Sequence, residues 1–232
     1  MSPVANCILN RAGLKPTGGG RSGCDHGGKA QVYVRGGTSQ GRIGIIYSYY
    51  VPKVRWAKGN GNGHRHYWAS VVVWVNQWGC DTDDISALWP VGISYTSDHL
   101  TWATAPAGEI SFKPSGVGVD MATNPRMKIH DKAISPFTGA DGDLVYQPTL
   151  ISWDSLPEPA QKALTDVKYD KTQAPFNDAN FQSQLDAAYR EGFFAGLPTD
   201  ADCISEQPDE IDIPDDPVTV TGAVSPSSTE ME

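Results

Sequence analysis

The sequence predicts a mostly β, α+β domain in which antiparallel strands come first and a few helices gather late. Three observations predict it. Segments of β-branched and aromatic residues recur through the first two thirds, several of them alternating in polarity. The 24 glycines and 17 prolines supply more turns than a helical bundle tolerates. Helical periodicity with start and stop signals occurs only beyond residue 150. At 232 residues the chain is long enough to bury a sizeable core.

In chain order, residues 1–30 read as an irregular, Gly-rich entry. Ala30 to Arg35 alternates as a strand, and Arg42 to Val51 is a buried strand that Pro52 is expected to end. Tyr67 to Val75 is the next strand, with Trp68, Val72 and Trp74 on one face and Tyr67, Val71, Val73 and Val75 on the other. Weaker strands are expected near Ile85–Leu88, Gly92–Thr96, Glu109–Phe112 and Met127–His130. Pro157 to Leu164 reads as a short helix with proline in its first turn. A second helix runs to Ala195 with Asp178 as its N-cap, Phe181, Leu185, Ala188 and Tyr189 as its apolar stripe, and Gly196 and Pro198 as its stop. The domain is drawn over residues 1–203, and 204–232 is an acidic, Pro/Ser/Thr-rich tail expected to be disordered.

The net charge of -9 is carried by that tail, since residues 206–232 hold eight of the 27 acidic residues and no Lys or Arg. What remains is nearly neutral, which argues against a nucleic-acid partner. No run of 18 apolar residues is present, so no helical membrane span is expected. The start, Met1 to Asn6, lacks the basic and apolar regions of a signal peptide. The protein is therefore expected to be cytosolic, or secreted with its leader absent from this chain. Cys7 and Cys24 bracket a Gly-rich interval, and a disulfide there would contribute about 3 kcal/mol in the chain-entropy view. Cys80 and Cys203 could form a second bridge. Four cysteines allow three pairings, and the sequence alone leaves them open. Bridges are favoured over four buried thiols, which points to an extracellular life.

The stretch Gly63-His64-Arg65-His66-Tyr67-Trp68-Ala69 carries the most chemistry, because it places two histidines where a glycine-rich loop enters a strand. A cation of the oxygen-loving kind needs carboxylates as well, and none lies between Gly59 and Cys80. Asp81, Asp83 and Asp84 follow only at the far end of the strand. Ser48 and Ser70 give a weak hydrolase signal, because no Gly-x-Ser-x-Gly elbow is present. Of the aromatics, Tyr47, Tyr49, Tyr50, Trp68 and Trp74 are expected to pack in the core, while Trp56 in its loop is the better ligand-contact candidate.

These segments, taken together and in order, resemble the necrosis- and ethylene-inducing peptide-like proteins (NLPs) secreted by fungi, oomycetes and bacteria. The resemblance is carried by Cys7, Gly13 to Gly18, Cys24, Gln31 to Gly36, Ile46 to Lys53, Gly63 to His66, Val71 to Trp74, Leu150 to Pro157 and Ala174 to Asp178. It implies a secreted antiparallel β-sandwich similar to actinoporins and fungal lectins, and a protein that is not an enzyme. Cytotoxic members of that family bind a plant plasma-membrane sphingolipid, glycosylinositol phosphorylceramide, and disrupt the bilayer. Their heptad, Gly-His-Arg-His-Asp-Trp-Glu, supplies a histidine, an aspartate and a glutamate to a divalent cation, Mg²⁺ or Ca²⁺. An aspartate after a Pro-Lys pair completes the set.

Carried onto this chain, His64 keeps its ligand position, while Tyr67, Ala69 and Val54 stand where the three carboxylates are expected. The family's sugar-contacting tryptophan has no counterpart in the comparable stretch, Ile134 to Phe137. The expectation is a monomeric, non-cytolytic NLP-like protein with a degenerate cation site, needing no cofactor and keeping at most weak glycolipid or glycan binding. The alternatives are an active toxin with a rebuilt cation site and a lectin-like glycan binder. The segment Gly44 to Tyr49 is also close to the pattern that plant immune receptors perceive in this family, although Tyr67 and Ala69 depart from it.

Overall fold

The structure, a computed structural model, describes residues 31–55, 63–77, 88–98, 101–113, 123–130, 133–137, 149–169 and 172–197. Its centre is a six-stranded sheet in the order β10-β1-β2-β3-β4-β5. Strands β1 (Gln31–Ser39), β2 (Arg42–Arg55), β3 (Gly63–Gln77), β4 (Leu88–Asp98) and β5 (Thr101–Pro106) run antiparallel, and β10 (Thr149–Ser152) joins β1 in parallel. The β1–β2 hairpin turns on Gln40 and Gly41, both at positive φ (52° and 72°), with Ser39 and Arg42 closing the ladder. That two-residue geometry matches the twist of the flanking strands.

Two short ladders lie on one face: β6 (Phe112–Lys113) with β7 (Asn124–Pro125), and β8 (Met127–His130) with β9 (Ala133–Pro136). Backbone bonds from Ser111 N to Phe137 O, Arg126 N to Ser111 O and Phe137 N to Arg126 O, all 2.8–2.9 Å, knit them together. Between them and the sheet sits one core, built on Val32, Tyr47, Tyr49, Tyr67, Ala69, Val71, Val73, Val75, Ile93, Met127 and Ile134. On the other face α2 (Phe181–Ala188) and the segment around Phe176 bury Ile46, Trp68, Val72, Trp74 and Trp153. Helix α1 (Glu158–Asp166) carries no buried residue. The fold is mostly β with a large antiparallel sheet, as its composition and alternation predict.

The helix-side core depends on missing side chains. Gly37, Gly44, Trp74 and Gly92 are successive partners across β1, β2, β3 and β4. A Cβ on Gly44 would stand 2.8 Å from both Leu185 Cδ1 and Trp74 Cζ3, and one on Gly92 would stand 2.4 Å from Phe193 Cδ1. The glycines therefore let α2 and the Glu191–Phe194 turn rest directly on the backbone of the sheet. Trp74 Nε1 donates to Ser94 Oγ (3.1 Å), which donates in turn to the α2 carbonyl of Ala188 (2.6 Å).

Several boundaries differ from expectation. Strand β2 does not stop at Pro52 but runs on to Arg55. The register passes from Val51–Tyr67 to Lys53–Arg65, stepping over Pro52, which has no N–H to give, and over His66 opposite it. Of the strand expected over Glu109–Phe112, Glu109 instead closes a 3-10 turn begun at Ala107 and only Phe112 is in a strand, β6, while β5 has no counterpart among the expected strands. Asp178 is not the cap of α2; it is exposed and pairs with Arg35 at 2.8 Å. The residue before α2 is Asn180, which makes no side-chain cap bond; Asn177 holds the turn leading into the helix, its Oδ1 accepting from Asn180 N at 3.0 Å and its carbonyl from Phe181 N at 2.9 Å. The helix ends at Ala188, before the 3-10 turn, and Gly196 (φ 76°) follows that turn. The expected strand residues Ile85 to Ala87 and the 204–232 tail lie outside the described residues.

Candidate functional site

The heptad occupies the first half of β3, beside the second half of β2. Gly63, His64 and Arg65 pair with Arg55, Val54 and Lys53, so Val54 and His64 are neighbours across the ladder. For these six residues the structure describes the backbone alone. Tyr67 and Ala69 pair with Val51 and Tyr49, and strand alternation turns them into the ladder-side core, where they are 3% and 0% exposed. Tyr47, Tyr49, Val32 and Val71 share that core, and no carboxylate is buried among the described residues.

The surroundings of Tyr67 and Ala69 disfavour negative charge. Burial pushes the Tyr47 phenol up to about 12, offset in part by its contact with Thr123 Oγ1 at 3.2 Å. Tyr49, completely enclosed, is pushed further up by burial and then by Tyr47 beside it. An environment that resists phenolate formation also resists carboxylate, unless a cation balances it.

The alternate residues face the helices. Trp68 is buried against Tyr33 (5.7 Å between ring centroids), Tyr50 (5.0 Å) and Phe176 (5.2 Å). His66 has φ 58°, a left-handed conformation that costs a side-chain-bearing residue roughly 1–2 kcal/mol. Its ring lies on Tyr169 (4.1 Å, 16°), and its Nδ1 meets the Tyr50 hydroxyl at 2.5 Å. Tyr50 titrates well above an ordinary tyrosine, first because of burial and then because of Tyr169, its electrostatic and hydrogen-bond neighbour. Sequence reading missed Tyr169, which lies in the coil after α1 and carries no local signal of this contact.

The other candidates sort plainly. Ser48 Oγ and Ser70 Oγ are 3.0 Å apart, and Ser70 N donates to Thr96 Oγ1 at 3.0 Å, all three residues being buried. Such a closed set of hydroxyls within a sheet is structural and offers no nucleophile to solvent. Ile134 and Phe137 are buried at β9, with Lys128 Nζ 5.3 Å from the Phe137 ring. Trp56, Asp81, Asp83, Asp84 and the four cysteines, Cys7, Cys24, Cys80 and Cys203, lie outside the described residues.

Known proteins share both the sequence and this architecture. The profile of the family described as Necrosis inducing protein (NPP1) matches residues 8–188. NLP effector protein 1 of Phytophthora capsici is 32% identical over 178 residues, covering 76% of this chain and 70% of that protein. Among solved structures, the non-toxic HaNLP3 protein aligns with a TM-score of 0.58 at 26% identity, covering 81% of this chain and 83% of that one. NLPPya in complex with glucosamine aligns with a TM-score of 0.55 at 30% identity, covering 77% and 76%. A profile match across most of the sequence, on a sheet of the same fold, places the chain in the necrosis inducing protein (NPP1) family.

Proposed function

We propose that this chain is a secreted, non-cytolytic NLP that has lost its divalent cation site and retains weak glycan or glycolipid binding. The observation that carries the reading is the placement of Tyr67 and Ala69. They stand where the resemblance calls for carboxylates, and both are packed into a core of aliphatic and aromatic groups. A phenol and a methyl supply no anionic oxygen, and carboxylate count largely sets the affinity of such sites for Mg²⁺ or Ca²⁺. Val54, the third replaced position, adds none on β2. The residues present therefore do not fit the cation. The non-toxic HaNLP3 relative supports a family scaffold without toxicity, and the glucosamine complex of NLPPya supports a sugar as the remaining ligand.

Calorimetric titration with Mg²⁺ and Ca²⁺ tests the reading, with no heat of binding expected up to millimolar levels. Dye release from vesicles containing glycosylinositol phosphorylceramide tests lysis, with leakage at the level of a no-protein control expected. Cation binding together with leakage would instead establish a toxin with a rebuilt site.

Perception by a plant immune receptor is a further part of the proposal, and the fold bears on how it would occur. Gly44 to Tyr49 sits in β2, paired with both β1 and β3, and most of its residues are buried. A receptor would read this segment from unfolded or cleaved protein.

A further inference from the structure

We propose that the stacked rings of Tyr50, His66 and Tyr169 form a carbohydrate platform on the helix-side face of the sheet, opposite Tyr67 and Ala69. The proposal rests on the glycan reading above and gives it a place. Three features carry it. The rings are nearly parallel, with 16° between His66 and Tyr169, 22° between Tyr50 and His66 and 24° between Tyr50 and Tyr169. All three residues are half-buried, so the stack reaches the surface rather than closing inside the core. His66 is held by a left-handed backbone at φ 58°, and strain of that kind collects where side chains are aimed at ligands.

The chemistry suits a sugar. A pyranose offers a C–H face, which packs on aromatic planes, and a rim of hydroxyls, which needs hydrogen-bonding edges. Tyr50 stays protonated, and its hydroxyl and His66 Nδ1, 2.5 Å apart, put a hydrogen-bonded polar pair within the cluster of rings.

The test compares glucosamine with uncharged N-acetylglucosamine by saturation-transfer NMR and titration against the full chain. Both sugars are expected to bind, with transfer from the Tyr169 and His66 ring protons. Tyr169→Ala and His66→Ala should each weaken both sugars roughly tenfold or more, a change of about 1.4 kcal/mol, while Tyr169→Trp retains them. Near-UV circular dichroism shows whether the variants are folded; if one is not, the transfer pattern of the unsubstituted protein decides. Sugar binding that is indifferent to both alanine variants, with transfer from other residues, overturns the platform and leaves the glycan reading standing. Glucosamine binding without N-acetylglucosamine binding also overturns it, because charge and not stacking would then drive recognition. Failure of the unsubstituted chain to bind either sugar overturns both.

Discussion

Asp186 shows how a single exposed carboxylate ties two elements together. Its Oδ1 accepts from Ser39 Oγ at 2.6 Å, at the end of β1, and from Gln182 Nε2 at 2.8 Å, one turn back on α2. The Ser39 and then the Gln182 hydrogen bond hold its carboxyl below the usual aspartate value of 3.8. A lowered folded value means that the contribution is complete above the unfolded value and disappears as pH falls through the folded one. Urea midpoints measured from neutral pH to below 3.8 should therefore drop, and Asp186→Asn should flatten that drop. An unchanged acid limb in the variant would remove Asp186 from the account. Residue by residue, the inward facing of Tyr67 and Ala69 was legible, because alternation fixes the parity of β3 once Trp68, Val72 and Trp74 are assigned to one side. The left-handed backbone of His66 was not. It reflects the proline facing it across the ladder and a tyrosine more than one hundred positions away, neither of which marks the histidine locally.

At the scale of elements, the strands rich in β-branched and aromatic residues were readable and the interruptions were not. Pro52 reads as a terminator, yet β2 continues because the opposing backbone is also displaced at His66. The edge strand β5, Thr-Trp-Ala-Thr-Ala-Pro, has too little β-branched character to stand out, and it forms because β4 supplies a template. Helix α2 is recognisable from its stripe, but it starts after Asn180, two residues beyond Asp178, because Asn177, Asp178 and Asn180 are all acceptable caps on local chemistry. The contact between α2 and the sheet yields a graded prediction. Gly44→Ala meets Leu185 and Trp74, both fully buried, so it should cost about 2–3 kcal/mol in chemical denaturation. Gly92→Ala meets Phe193, a half-buried ring that can swing outward, and should cost about 1 kcal/mol despite the shorter starting distance. The reverse order would show that α2, and not the Glu191–Phe194 turn, is the compliant part.

For the whole molecule, two cores on either side of one sheet hold the heptad in place through packing. A bound cation stabilises a fold by an amount set by its concentration relative to the dissociation constant, about 4 kcal/mol at a thousandfold excess. Without such a site, the melting temperature should be the same in EDTA and in millimolar Mg²⁺ or Ca²⁺. A rise of several degrees with either ion would contradict the proposed loss. Membership of the family was legible at this scale because ordered segments across the chain persist while a few site residues change. The proposed loss of activity was less legible, because the proposal rests on three side chains, Val54, Tyr67 and Ala69, whose effect depends on what surrounds them.

The row of Gly37, Gly44 and Gly92 around Trp74 also limits how this protein can vary. A glycine can be exchanged only for something larger, and at Gly37, Gly44 and Gly92 the added atom falls within 2.4–2.8 Å of a ring or a leucine methyl. Sequence drift here runs in one direction, toward a wedge that lifts the helix layer. Compensation must come from the helix side, by shrinking Phe181, Leu185 or Phe193. Among diverged descendants of this scaffold, gains in volume on the strands should therefore be inherited together with losses on the helix layer, as paired changes between the two halves of the sequence.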